Sequence, residues 1–443
     1  MTPSDTSQRP RRMSLWDVVA IGIGSMVGAG IFALMGEIAA RAGSAVYLSF
    51  VIAGVVAVLS GYSYARLSSV FPSSGGIVDF LERGMGAGAV SGTMSLMYLV
   101  TVVVSTAVVA KAFGAYAARL ASGWDQAPWL ANAFGSAIVL ALAYVNMAGS
   151  AAAGRAEMLL VGIKLAILGV LVVGGASQLH VEYLGTDHYG TPTNIVAGAG
   201  LAFFAYAGYG MMANAGGSVD EPRRTIPLAI TIAIGSVCVL YIVLAVVVLG
   251  TLTPEQLETY RDTAVAEAAR PALGDLGFVL VSIAALLATA SAVNANLFTG
   301  LNVTSALSAS GALAKAFNRP IWGRGTLGLI LIVVATLALL NFSGLGAIAS
   351  LGSAAFLLTY LAVQAAHWNL ADRTAGSRFL IIAGSLAIAA VLAVLLVQQW
   401  HDQRQVLYEF VGFLVLCWLT QDIMRRLTRS ASDPGRSPRP SAN

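Results

Sequence analysis

Apolar segments of about 20 residues dominate the pattern of hydrophobic and polar positions along the chain. Each is long enough to cross a hydrocarbon core of about 30 Å as an α-helix. The pattern predicts twelve membrane-spanning helices, at residues 17–41, 45–67, 88–119, 132–150, 156–177, 194–217, 227–250, 274–299, 326–341, 344–366, 379–398 and 406–424. The stretch LLNFSGLGAIAS, between the ninth and tenth, is either a tight turn outside the membrane or a break within one long span.

Composition supports this fold class, an all-α polytopic membrane protein. Of the 443 residues, 57% are hydrophobic and 10% are charged, whereas about a quarter of an average soluble domain is charged. Cys238 and Cys417 fall inside apolar segments and are predicted to be core residues, and the four histidines have no metal-ligand spacing. We therefore expect no metal and no cofactor. The net charge of +4 gives no indication of nucleic-acid binding.

Basic residues determine the predicted orientation. With the N-terminus in the cytoplasm, most of the 25 Lys and Arg residues lie on the cytoplasmic side, as the positive-inside rule requires. An odd number of spans would put the basic C-terminal tail outside and spoil this bias. We therefore expect both termini in the cytoplasm, with an N-terminal tail over residues 1–16 and a disordered C-terminal tail over residues 425–443.

The first span contains the glycine-rich stretch AIGIGSMVGAGIFALMG, at residues 20–36. Glycine inside a helix costs about 1 kcal/mol relative to alanine, so the stretch needs a reason. A dinucleotide fingerprint is excluded because no strand precedes it and its spacing is GxGxxxG. One interpretation is close helix packing through Gly24 and Gly28. The other is a discontinuous helix, whose freed N–H groups hold an anion near the midplane.

The sixth span favours the discontinuous helix. Its stretch FFAYAGYGMMANAGG is also glycine-rich, and spans 1 and 6 are the corresponding first helices of two five-span halves. Interrupted helices at matching positions of two halves are the best sequence indication of a transporter's binding site.

Four motifs, in this order, resemble those of the amino acid–polyamine–organocation (APC) transporters. They are GIGSMVGAGIF, YARLSSVFPSSGG, FFAYAGYG followed by EPRRTIPLAI, and SAVNANLFTGLNVTSALSASGALAKAF. The resemblance covers about residues 13–425 and is greatest to the bacterial amino acid permeases. It implies two inverted five-helix repeats, at 17–177 and 194–366, then two helices at 379–424, all in the bacterial cytoplasmic (inner) membrane.

The resemblance also implies an amino acid site made mainly of backbone groups. The substrate carboxylate would accept hydrogen bonds from the N–H groups of Gly28, Ala29 and Gly30. The ammonium would donate to the carbonyls of Met26, Phe204, Ala205 and Ala207. Phe204 matches the aromatic gate position. Residues that could also line the pocket, or instead serve helix packing, are Ser25, Tyr98, Asn294, Gly208 and Gly210.

Two lysines lie within predicted spans. Lys164 is in the middle of the fifth span, where a charge costs about 2.5–3.5 kcal/mol. It matches a fifth-span lysine of proton-coupled relatives, which resembles a stand-in for a sodium ion and faces the first span near Ser25. Because burial disfavours the charged form of a lysine, Lys164 could exchange a proton during transport. Lys111, in the third span, is assigned a structural role close to the interface.

Together these features predict a secondary active transporter that imports neutral amino acids by proton symport with alternating access. No motif for nucleotide hydrolysis and no catalytic residues are recognisable, so we do not expect an enzyme. Three alternatives stay open: an amino acid exchanger, a polyamine or amine transporter, and a membrane sensor that binds a ligand without moving it. The expected partners are the amino acid, the proton and membrane lipid.

Overall fold

The computed structural model describes residues 13–73, 75–122, 128–148, 153–219 and 221–431. Most of them are helical. The α-helices are α1 (Leu15–Ala29), α2 (Ile31–Ala42), α3 (Val46–Val70), α4 (Ile77–Met85), α5 (Ala89–Ser122), α6 (Pro128–Ala148), α7 (Ala153–Ala176), α8 (Pro192–Tyr206), α9 (Pro222–Thr251), α10 (Pro254–Thr259), α11 (Ala264–Glu267), α12 (Arg270–Ala309), α13 (Leu327–Phe342), α14 (Leu345–Asn369), α15 (Ala371–Thr374), α16 (Arg378–Asp402) and α17 (Arg404–Ala431).

Shorter elements connect these helices. Two strands, β1 (Pro320–Trp322) and β2 (Gly325–Thr326), pair antiparallel between α12 and α13. The 3-10 helices are Val181–Leu184, Thr186–His188, Ala207–Ser218, Arg261–Thr263 and Lys315–Asn318.

The helices confirm the predicted all-α polytopic fold. Within the described residues, ten helices are long and apolar enough to cross a membrane, and α1 with α2 supplies an eleventh when the pair is counted as one bent span. The 16-residue α13 is a shorter apolar helix at the position of the predicted ninth span. It is separated from α14 by Ser343 and Gly344, so LLNFSGLGAIAS contains a turn between two helices.

The glycine-rich first span is bent at Gly30. Its two segments, Leu15–Gly28 and Ile31–Ala42, make an angle of 47°. The interruption is narrower than the sequence suggested, because Gly30 N–H still donates to Met26 O (3.0 Å) and Gly30 O accepts from Leu34 N–H (3.0 Å). The break is therefore confirmed at a single residue, while the rest of the stretch is helical.

The sixth span changes its helix type instead of unwinding. α8 ends at Tyr206, and the chain continues as a 3-10 helix over Ala207–Ser218. The predicted discontinuity is therefore a change of helix type, because the tighter helix keeps the backbone paired from each residue to the third along the chain. A 3-10 segment inside a span often marks a hinge, so the discontinuity remains at the predicted place.

The segment between α9 and α12 packs over one end of α2. A Cβ added to Gly36 would lie 2.1 Å from Arg261 O, so backbone meets backbone there. The segment is also tied to α5 by a buried ion pair between Arg119 and Glu267 (2.9 Å). If one partner of a buried pair of this kind is removed, the other is left as an uncompensated charge. The pair therefore holds the segment between α9 and α12 against α5.

The C-terminal helix is longer than expected. α17 continues to Ala431, past the predicted start of a disordered tail at residue 425. Residues 1–12 and 432–443 lie outside the described residues, so the predictions for these parts of the two tails stay predictions.

Candidate functional site

The two interrupted spans touch each other at small residues. A Cβ added to Gly30 would lie 2.3 Å from Ala205 Cβ, and one added to Gly208 would lie 2.6 Å from Ser25 Oγ. Real side chains do not approach so closely, so glycine is required for this contact. The hydroxyl of Ser25 lies 2.9 Å from Gly208 O and 3.0 Å from Gly22 O, and its proton can therefore join span 1 to span 6.

Close packing also explains Gly28. A Cβ added there would lie 2.7 Å from Ala288 O and 2.9 Å from Ala292 Cβ, both on α12. The two interpretations of the glycine-rich stretch thus hold at different positions. Gly28 permits a close helix contact, whereas Gly30 is both a contact and the point of the bend.

Tyr241 of α9 bridges the two spans and was not foreseen from the sequence. Its hydroxyl lies 2.7 Å from Met26 O and 3.3 Å from Ala205 O, and the side chain is fully buried. A buried tyrosine hydroxyl normally finds a hydrogen-bond partner. The signal in the sequence was a lone tyrosine in the apolar stretch SVCVLYIVLAV, which does not reveal which carbonyl it meets.

A second tyrosine, Tyr360 of α14, donates to Ala207 O at the start of the 3-10 segment. Its ring packs against Phe203, Tyr64 and Tyr209, with centroids 5.6, 4.8 and 5.4 Å away. Aromatic pairs at these separations are worth about 0.5–1.5 kcal/mol beyond burial. The cluster therefore anchors α14 firmly beside the break in span 6.

The backbone groups predicted to bind the substrate already have hydrogen-bond partners within the protein, which differ from group to group. The carbonyls of Met26, Ala205 and Ala207 each accept a tyrosine hydroxyl, and Phe204 O accepts from Ala207 N–H. A carbonyl oxygen has two lone pairs, and Met26 O already uses both, because it also accepts from Gly30 N–H (3.0 Å). The predicted N–H donors are engaged as well. Gly28 and Ala29 belong to α1, and Gly30 N–H is bonded to Met26 O.

Phe204, the predicted gate residue, is buried. Its ring meets Phe356 of α14 edge to face, with centroids 5.4 Å apart. A Cβ added to Gly352 would lie 2.7 Å from the Phe204 ring, so α14 lies close over it. Phe204 thus fills the space between the sixth span and α14.

Lys164 lies against the first span. Its side chain is 0% exposed, and Nζ donates to Gly24 O at 3.1 Å. A buried charge is tolerated only where such hydrogen bonds compensate for the loss of water. The contact joins the fifth span to the helix that bends at Gly30.

The other predicted pocket residues are dispersed. Gly210 faces Tyr360, whose hydroxyl would lie 2.6 Å from an added Cβ. Tyr98 is buried in α5, within electrostatic range of Tyr360. Asn294 accepts a hydrogen bond from Asn146 of α6 (2.8 Å), which favours the helix-packing role among its two interpretations.

Lys111 has contacts that fit the predicted structural role. Its Nζ donates to Leu340 O (2.9 Å), Ser343 O (2.8 Å) and Asn132 Oδ1 (3.3 Å). The two carbonyls are at the C-terminal end of α13, where a cation interacts favourably with the helix dipole. Lys111 therefore caps α13, the short apolar helix at the position of the predicted ninth span.

Fold and site together define a helical membrane protein in which two interrupted spans meet in the interior, the arrangement of a secondary transporter. The family model "Amino acid permease" matches residues 13–420. The chain therefore belongs to the amino acid permease family and is a transporter of the APC type.

Curated relatives are similar over most of the chain. The inner membrane transport protein YbaT of Escherichia coli is 40% identical, covering 96% of this chain and 98% of that protein. The uncharacterized protein MJ0609 of Methanocaldococcus jannaschii is 32% identical, covering 95% and 96%. The methylthioribose transporter of Bacillus subtilis is 25% identical, covering 71% and 70%.

Proposed function

We propose that this chain imports small neutral amino acids across the bacterial cytoplasmic membrane by proton symport. The observation that carries the proposal is the contact of the fully buried Lys164 with Gly24 O. A movement of the first span that removes this carbonyl disfavours the ammonium form, because this compensating hydrogen bond is lost, whatever other contacts the lysine keeps. Proton release is thereby coupled to a rearrangement of the helix that binds substrate.

The substrate ammonium binds the carbonyls of Met26, Ala205 and Ala207, and a lone pair of Met26 O becomes available for it when Gly30 N–H is released. Tyr241 and Tyr360 hold these carbonyls in place through their hydroxyls. Acceptors that are fixed before binding cost less entropy to use. Tyr241 therefore acts as a positioning residue, because it sets the distance between the two spans that share the ammonium.

The substrate carboxylate requires a further opening of the bend. Gly30 N–H becomes available only when its hydrogen bond to Met26 O breaks. That step frees N–H groups at the end of α1 and widens the 47° bend, which gives alternating access a starting point. The proposed inverted repeats, residues 17–177 and 194–366, then move relative to each other.

The composition of the sixth span supports a substrate with a neutral side chain. Residues 192–219 contain no Asp, Glu, Lys or Arg. A polyamine or a cationic amino acid would need a carboxylate near its tail, since a buried cation is costly without one. Gly208 and Gly210 are packed against Ser25 and Tyr360, and this close packing supports a small substrate.

The cellular location rests on the relatives and on charge. YbaT, the relative with 40% identity, is named an inner membrane protein. The basic segments of this chain support a cytoplasmic location for both termini. We infer the same membrane and orientation for this chain.

A thermal-shift screen of the purified protein tests the substrate class. Binding to the folded state alone stabilises it by about 2.7 kcal/mol at a ligand concentration 100 times the Kd. We expect alanine-sized neutral amino acids to raise the melting temperature, and putrescine and lysine to leave it unchanged. Methylthioribose is included because a relative is named for it. Stabilisation by the thiosugar or the amines alone would contradict an amino acid substrate.

A further inference from the structure

An apolar groove of about 400 Å³ lies between α6, α13 and the β-hairpin. Its volume falls within the range of about 300–1,000 Å³ that is usual for small-molecule sites. Its lining includes Leu140, Tyr144 and Met147 of α6, Trp322 of the hairpin, and Ile330 and Val333 of α13. The groove faces outward from the helix bundle, where a membrane protein meets lipid.

The hairpin is built to close one end of this groove. Trp322 stacks on Tyr144, with ring centroids 5.5 Å apart and an interplanar angle of 28°. Arg324 N–H donates to Met147 O (2.8 Å). Gly323 has φ 55°, and a Cβ added to it would lie 2.2 Å from Met147 O, so this turn requires glycine. The tip is therefore held on the end of α6 by backbone geometry.

The hairpin combines exposed apolar and basic side chains. Ile321 is 55% exposed and Trp322 is 50% exposed. Lys315, Arg319 and Arg324 are exposed as well, and residues 310–326 contain no Asp or Glu. Tryptophan beside cations is typical of the headgroup level of a membrane. Basic pockets between transmembrane helices on the cytoplasmic side bind anionic headgroups.

We propose that this groove binds one anionic phospholipid, with its acyl chain between α6 and α13 and its phosphate on Arg324 and Arg319. The apolar lining matches the acyl chain, and the three cations without a neighbouring carboxylate in the segment match the headgroup. Trp322 lines the groove and is two residues from Arg324 in the chain, so it would border both the acyl chain and the headgroup. The site is independent of the transported substrate, since none of these residues belongs to the breaks in spans 1 and 6.

Fluorescence quenching in reconstituted bilayers tests the site. The full-length protein is placed in phosphatidylcholine that contains a minor fraction of phosphatidylglycerol with brominated acyl chains. The Trp322 signal is obtained as the difference between the wild type and Trp322→Phe, which keeps an aromatic ring against Tyr144. We expect the Trp322 fluorescence to be quenched more strongly than the bulk fraction of brominated lipid alone would produce. Arg324→Gln should weaken this preference about fivefold, the effect of one juxtamembrane charge.

Matched controls separate a specific site from general lipid contact. Trp418 on α17 is 53% exposed, and its signal, from Trp418→Phe, should follow the bulk lipid fraction. Arg223→Gln removes an exposed charge at the start of α9 and should not change Trp322 quenching. Equal quenching of Trp322 and Trp418, or equal quenching by brominated phosphatidylcholine, would overturn the proposal. Protection of Trp322 from every brominated lipid would also overturn it, since a second protein would then cover the groove.

Discussion

At the residue scale, buried hydroxyls organise the proposed site. The hydroxyl of Tyr241 lies within hydrogen-bond distance of carbonyls of both interrupted spans, Met26 O (2.7 Å) and Ala205 O (3.3 Å), and its single proton can be donated to either. Because this one hydroxyl spans the contact, it determines how the carbonyls are spaced. A polar group buried in this way is costly to leave unpaired, so the effect of removing it is measurable both in stability and in binding.

Tyr241→Phe should lower the free energy of unfolding by about 1–3 kcal/mol, because buried carbonyls lose a donor. It should also raise the substrate Kd about tenfold, which corresponds to about 1.4 kcal/mol of lost preorganisation. Denaturation and ligand titration of the purified protein measure the two effects. Tyr116→Phe is the matched control, since that buried hydroxyl donates to Phe32 O of α2 (3.2 Å) and not to a carbonyl of the proposed ammonium site. If both variants change the Kd equally, Tyr241 has no special position in binding.

Sequence reasoning could place Lys164 but not its partner. A lysine in an apolar stretch is visible in the sequence, and its match to proton-coupled relatives indicated the first span. The identity of the accepting carbonyl, Gly24 O, depends on the rotation and depth of two helices. Tyr241 was missed for the same reason, because helical periodicity is not informative where a helix is apolar all round.

At the element scale, the bend at Gly30 decides how the first and sixth spans meet. Composition predicted both discontinuities, since glycine weakens a helix wherever it accumulates. Their form was not predictable. Whether a glycine-rich stretch unwinds, bends or becomes a 3-10 helix depends on the neighbours that compensate its backbone groups. Here the compensating groups come from Tyr241, Tyr360 and Ser25, which are distant in sequence.

Gly30→Ala should destabilise the protein by about 1–3 kcal/mol, the usual cost of overpacking. The added methyl group would lie 2.3 Å from Ala205 Cβ and 2.7 Å from the Tyr241 hydroxyl. Adding Ala205→Gly should restore only part of the stability, because the Tyr241 contact remains. Thermal or denaturant unfolding in detergent measures both variants.

Gly235→Ala is the control for this substitution. Gly235 is in α9, and a Cβ added there would have no neighbour within 4 Å. The change should be neutral or stabilise the helix by about 0.5–1 kcal/mol. If Gly235→Ala lowers the stability as much as Gly30→Ala, the contact with Ala205 does not explain the effect at Gly30. The close packing at Gly30 would then not be the reason why glycine is required there.

At the scale of the whole molecule, the spans followed directly from hydrophobicity. A run of about twenty apolar residues crosses a bilayer as an α-helix, because unpaired backbone groups are not tolerated there. The ends of the helices were less predictable, because polar residues at the interface can extend a helix beyond the hydrocarbon. α17 runs to Ala431. α12 begins at Arg270 and has a break at Gly274 (φ 62°).

Cysteine labelling tests the predicted orientation. In a background with Cys238 and Cys417 replaced by alanine, Glu258→Cys lies between α9 and α12, and Asn318→Cys lies between α12 and α13. Both positions are exposed. A membrane-impermeant maleimide should label position 258 in intact cells and position 318 only after the membrane is opened, as the positive-inside rule requires. The reverse pattern would invert the topology.

The most direct measurement is uptake of a radiolabelled amino acid, chosen by the thermal-shift screen, into proteoliposomes with an imposed pH gradient. We expect the gradient to drive accumulation into empty vesicles. Lys164→Ala should abolish this accumulation while it weakens binding much less. Lys111→Ala, the matched lysine variant, should lower stability through loss of the α13 cap but keep the gradient dependence. Uptake that ignores the gradient, or that requires amino acid preloaded inside, would contradict proton symport and indicate an exchanger; binding without uptake would indicate a sensor.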